Sequence, residues 1–195
     1  MYLFLFTFFV LYGLIHLFLF YTLTKTFQLI GFYNVIIALF LTILCFSPFL
    51  IRVLERNEWL TIARIFAFIG YLWMAAIFLF FVISICFVLL KLILGSFFIF
   101  SSKFVFFLST SMTFLLMIYG YFEAQNLKVE KITVLTSKLP SEVKKVKVVQ
   151  ISDLHLGLII REERVKKVLN LVKELEPVIL LATGDIVDGN ANDIF

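Results

Sequence analysis

The chain has 195 residues, of which 63% are hydrophobic, 18% aromatic and 15% charged, well short of the roughly 25% charged expected of a soluble domain. An ordinary water-soluble globule is excluded. Only 8 of the 30 charged residues precede Glu123, whereas 25 of the 26 phenylalanines lie at or before Phe122, so two parts with different solvents are implied and the first belongs in lipid. The formal charge of +4 is too diffuse to point to nucleic acid, and Cys45 and Cys86, each inside an apolar run without CxxC spacing, read as inert thiols rather than a disulfide or zinc site.

Residues 1–24 are almost unbroken apolar sequence, long enough at about 1.5 Å per residue to cross a hydrocarbon core of about 30 Å. The run lacks the basic segment, short core and small-residue cleavage site of a secretory signal, so it reads as a retained anchor. A polar break at 25–28 leads to a second span over 29–51, with Ser47-Pro48 near its end where a missing N–H is tolerated. The charged turn at 52–64, with Trp59 suited to the headgroup layer, is expected outside the lipid. A third span follows over 65–90, and 104–122 supplies a fourth stretch without charge. Four helices and a role as an anchor are expected. His16, the only ionisable side chain deep in a span, reads as a neutral histidine hydrogen-bonded across a helix interface.

From Glu123 the pattern turns to alternation. Leu127, Val129, Ile132 and Val134 interleave with polar residues, as in a half-buried strand with one slip. A loop around Pro140 precedes Lys144, Lys145 and Lys147, read first as a solvated edge and second as a contact for anionic headgroups. The expected organisation is an anchor at 1–122, a linker and first strand at 123–146, and an α/β unit at 147–195.

That unit reads strand, helix, strand. The β-rich run 147–152 stops at Asp153-Leu154-His155-Leu156-Gly157, and 161–176 places Val165, Val168, Leu169, Val172 and Leu175 at helical spacing. After Pro177 a second apolar run, 178–182, ends at Thr183-Gly184-Asp185-Ile186-Val187-Asp188-Gly189. Such a crossover joins parallel strands, so both carboxyl ends open on one sheet edge and Asp153, His155 and Asp185 are expected to converge there. Carboxylates plus imidazole without thiolate suit divalent Mn, Fe or Zn rather than a structural zinc.

Asp153-x-His155 after one strand and Gly184-Asp185-x-x-Asp188 after the next resemble the opening half of the calcineurin-like metallophosphoesterase family, most closely its membrane-anchored bacterial members. The resemblance covers about 147–190. It implies that Asp153 and His155 bind a first metal, that Asp185 bridges two metals, and that Asp188 supports them from behind. It also implies a phosphoester substrate, whose identity is left open, and hydrolysis by metal-activated water. The family's later GNH and GHxH motifs are absent from the sequence, so the chain is expected to be an amino-terminal portion in which the two-metal chemistry of the complete enzyme is unfinished, and activity of the chain alone is not expected. A non-catalytic membrane protein with a relic or interaction tail is the competing reading. The resemblance implies a bacterial inner-membrane protein, and counting Arg52, Arg56, Arg64, Lys128 and Lys131 against Lys25, Lys91 and Lys103 favours a cytoplasmic tail. Oligomeric state is not readable.

Overall fold

The computed structural model describes residues 2–97 and 100–188. It divides into two compact units, 1–125 and 126–195, each described by itself. The first is wholly helical: α1 (Tyr2–Phe27), α2 (Phe32–Cys45), α3 (Ser47–Arg56), α4 (Leu60–Leu94) and α5 (Ser102–Gln125). Helices α1, α4 and α5 are each long and apolar enough to cross a membrane. The α2–α3 pair makes a fourth span if its two parts count as one.

That pair differs from the single span expected over 29–51. Helix α2 stops at Cys45 and α3 leaves it at 50°. Pro48 in the first turn of α3 has no N–H to continue the α2 ladder, and the Ser47 hydroxyl instead donates to Leu44 O at 2.7 Å. The charged stretch 52–64 is correspondingly not a turn but mostly helix, with Arg52 and Arg56 ending α3 and Arg64 inside α4. Between α1 and α2 the chain reverses at Gln28 (φ 53°) and Gly31 (φ 56°), and the Leu29 N–H reaches back to Thr24 O at 3.0 Å, closing the end of α1.

The core of this unit is a narrow seam. Tyr12, His16 and Leu19 are buried at helical spacing on α1, and Tyr12 and Leu19 pack in one cluster with Leu41 and Cys45 of α2 and Ile77 and Phe80 of α4. On the amino-terminal half of α4 the buried positions are Ala63, Ala67 and Gly70, facing Ser47, Ile51 and Leu54 of α3. A Cβ at Gly70 would lie 2.8 Å from Ser47 Oγ, so the small residues are what let α3 and α4 approach. Phe106 of α5 closes edge-on against Phe27 at 5.1 Å and Phe80 at 5.5 Å. Most other apolar side chains of these helices point outward, as a lipid solvent permits. Cys45 is buried and Cys86 exposed, both as free thiols.

His16 bridges two helices. Its Nδ1 lies 2.8 Å from Tyr12 O, and Trp73 Nε1–H of α4 donates to its Nε2 at 2.9 Å. Because an indole nitrogen only donates, Nε2 carries a lone pair and the proton sits on Nδ1. The ring is therefore neutral and satisfied on both sides.

The second unit holds β1 (Val148–Ser152), α6 (Glu162–Leu175) and β2 (Ile179–Thr183). The strands pair in parallel with Val148 opposite Ile179 and Ser152 opposite Thr183, the β-α-β unit expected. Glu162 and Glu163 open α6 and Lys173 closes it, matching the macrodipole. Glu176 at φ 46° and Pro177 then end it. Lys147 fastens the crossover: its Nζ donates to Leu175 O at 2.6 Å, and its own carbonyl accepts the Val178 N–H at 2.9 Å. The strand expected over 127–134 is not formed. Its alternation marks two faces, but a strand needs a ladder partner, and none runs beside it among the described residues.

Candidate metal centre

The register of the sheet decides what meets at its carboxyl edge. With Ser152 opposite Thr183, the next residues of each strand, Asp153 and Gly184-Asp185, leave the ladder side by side. The Asp153 N–H still reaches Thr183 O at 3.3 Å, after which His155 N–H donates to Asp185 O at 3.1 Å and Leu156 N–H to Ile186 O at 2.9 Å. The two loops are zipped together past the strands. The Asp188 N–H closes the zip on Leu156 O at 2.7 Å, and Leu156 is the buried plug beneath it.

Two of the loop residues adopt left-handed backbone, Asp153 at φ 52° and His155 at φ 48°. For a residue with a Cβ this costs about 1–2 kcal/mol of backbone energy, and aspartate and histidine are among the types that tolerate it. Such conformations gather at binding sites because the surroundings fix them. Gly184, at φ 68°, is required for a second reason: a Cβ there would overlap the Asp153 carboxylate.

The side chains are engaged in pairs. Asp153 Oδ1 accepts the Asp185 N–H at 3.2 Å, and its Oδ2 accepts the Ser152 hydroxyl. Ser152 first, then the Asp185 N–H, hold the Asp153 carboxyl below the usual carboxylate range, with the His155 charge adding a smaller push. His155 Nδ1 lies 2.9 Å from Asp188 Oδ1. That contact, followed by the charges of Asp188, Asp185 and Asp153, raises the imidazole above its ordinary value. All four side chains are exposed at the sheet edge.

The structure thus brings Asp153 to the Asp185 backbone and His155 to the Asp188 carboxylate. Among the described residues, no three His, Cys, Asp or Glu side chains are drawn around a common point close enough to hold an ion. The donor set nevertheless suits a hard or borderline divalent cation by chemistry, and the Asp188 contact orients His155 with Nε2 free, the arrangement that partners of metal-binding histidines impose. Gly189, the last residue of the run that follows the second strand, lies outside the described residues. Sequence reading missed Ser152 and Gln150. The alternation of VVQIS gave no sign that Ser152 binds Asp153, or that Gln150 Nε2 donates to Thr183 Oγ1 at 2.8 Å across the ladder.

Two known proteins are similar to part of the chain. The chain is 44% identical over 76 residues to an "Uncharacterized metallophosphoesterase" of Aquifex aeolicus (strain VF5), a match covering 39% of this chain and 29% of that protein. It is 29% identical over 86 residues to a "Transmembrane protein with metallophosphoesterase domain" of Danio rerio, covering 44% of this chain and 20% of that protein. The chain therefore spans less than a third of the length of either relative. No protein-family model matches the chain, and no solved structure does. On this partial coverage, the chain resembles the calcineurin-like metallophosphoesterases.

Proposed function

We propose that the chain is the membrane anchor and opening β-α-β unit of a metal-dependent phosphoester hydrolase. The observation that carries the reading is the edge of the parallel sheet, where Asp153, His155, Asp185 and Asp188 leave adjacent strand ends and are cross-linked by hydrogen bonds. Asp153, His155 and Asp185 would hold divalent ions of the Mn, Fe or Zn class. Bound ions of this kind supply Lewis acidity to a phosphoryl group and lower the pKa of water. The protein's own part is positional. Asp188 accepts the Nδ1 proton and presents His155 Nε2, while Ser152 and the Asp185 N–H keep Asp153 ionised and aimed at the edge. The apolar helices of the first unit hold the site at a bilayer, taken from the family resemblance to be a bacterial inner membrane, and the distribution of Lys and Arg favours a cytoplasmic tail.

A two-ion site needs several ligands per ion, and among the described residues no group of three such side chains is gathered closely enough to hold one. Hydrolysis of generic phosphomonoesters and phosphodiesters with Mn or Zn tests the reading, in the 195-residue chain and in a chain extended by a segment carrying GNH and GHxH. Turnover is expected only in the extended chain. Asp188→Asn should cost it about 10- to 100-fold, and Asp185→Asn more. Turnover by the unextended chain, or equal loss at the two aspartates, overturns this assignment of roles. Inactivity of the extended chain favours a non-catalytic relic or interaction tail.

A further inference from the structure

The stretch between the last membrane-length helix and the sheet takes no part in the proposed site, yet its chemistry is the most one-sided in the molecule. Residues 126–147 contain six lysines and two glutamates, a net +4, which equals the formal charge of the whole chain. The rest of the protein is therefore balanced, and the entire excess of positive charge sits in one segment. The segment has no helix or strand, and among the described residues no carboxylate pairs with Lys131, Lys138, Lys144 or Lys145, all of them exposed. Lys147 is committed, to Leu175 O.

Apolar side chains stand among these lysines in equal exposure. Ile132 and Val134 are 78% exposed and Leu135 is 92% exposed, a poor arrangement in water for β-branched and leucine side chains. Basic residues interleaved with unburied aliphatic ones suit a surface that is anionic outside and apolar just beneath. The covalent chain brings that surface close: Lys131 is six residues beyond Gln125, the end of α5, hence within about 22 Å of it even at full extension. A polyanion in solution would satisfy the charge but leave the aliphatic side chains unburied.

We infer that residues 126–147 form a membrane-surface tether, lying along a leaflet rich in anionic lipid with Lys131, Lys138, Lys144 and Lys145 at the headgroups and Ile132, Val134 and Leu135 dipping beneath them. Each lysine held at such a surface contributes about 5-fold to the bound population at moderate salt, and the contribution fades with ionic strength. The tether does not depend on the phosphoesterase reading.

Chymotryptic cleavage after Leu135 reports it, in the full chain reconstituted into nanodiscs of phosphatidylcholine or of phosphatidylcholine with 30% phosphatidylglycerol. Cleavage is expected about 10-fold slower in the anionic discs, with the difference lost in 0.5 M NaCl. In the variant Lys131→Gln, Lys138→Gln, Lys144→Gln, Lys145→Gln cleavage should be fast in both discs, which also controls for sequestration of the protease. Equal rates for the parent chain in the two discs, or protection that survives in the quadruple variant, overturns the inference. So does protection in phosphatidylcholine discs by an added RNA oligonucleotide without any from phosphatidylglycerol.

Discussion

Replacing Trp73 by Phe keeps an aromatic ring on α4 but removes the N–H that His16 Nε2 accepts at 2.9 Å. His16 is 5% exposed, so no water reaches the orphaned lone pair. In a soluble core a buried group left unsatisfied costs about 1–3 kcal/mol, whereas hydrogen bonds between membrane helices average about 0.6 and reach about 1.7 kcal/mol, because the dissociated helices find other partners. His16 is buried and Trp73 partly so, and the bond links α1 to α4 directly, which places the expected coupling above that average, at about 1 kcal/mol. Lost indole contacts with Phe40, 6.1 Å away edge-on, would add to the single mutant, so a double-mutant cycle with His16→Leu is needed to isolate the bond. Helix loss on titration of the purified chain with sodium dodecyl sulfate, followed by far-ultraviolet circular dichroism, supplies the four unfolding free energies. A coupling below about 0.3 kcal/mol, the scatter of independent sites, would refute the claim that this bond helps hold the anchor together.

Two further outcomes concern the sheet edge. In chelator-treated chain, nuclear magnetic resonance of the only other histidine, His155, should give a pKa above the ordinary value of about 6.5, and Asp188→Asn should lower it. The His155–Asp188 contact thus stabilises the fold fully below the unfolded value and loses its contribution as pH rises through the elevated folded value; a titration unmoved by Asp188→Asn contradicts this. Gly184→Ala should speed amide exchange across the β1–β2 ladder, since its left-handed φ alone costs about 1–2 kcal/mol and its methyl displaces Asp153. Gly157→Ala, whose Cβ would lie 3.0 Å from Asp188 O without a left-handed φ, should be milder, and the reverse order would count against the reasoning.

What could be read from the residues followed from how locally each property is encoded. A run such as 1–24 needs only its own composition to declare a helix in lipid, and α1, α4 and α5 were accordingly legible to within a few residues. The order strand, helix, strand was legible because the periodicity changes at Gly157 and Pro177. The break at Phe46 was not. Pro48 is compatible with the end of one helix or the first turn of another, and only the packing of Ser47 against Gly70 selects the second. The strand anticipated at 127–134 failed for a related reason, since alternation specifies faces while pairing is a property of a partner. At the site, side-chain type pointed to divalent-ion chemistry, but the linkage of His155 to Asp188 and the left-handed backbone at Asp153 and His155 depend on two loops meeting, which no single segment encodes.

The exposure of β2 has a consequence for handling the protein. Residues 179–182 are uncharged, and every position of the strand is exposed, Leu180 at 47% and Leu181 at 46%. Among the described residues β2 pairs only with β1, so the main-chain groups on its outer side offer a template to any extended segment of similar character. Pro177 and Gly184 flank the run and shorten it, acting as gatekeepers against cross-β stacking. Severed from its helices and concentrated, the tail should self-associate through this edge, whereas in a bilayer the helices limit both its concentration and its freedom to stack.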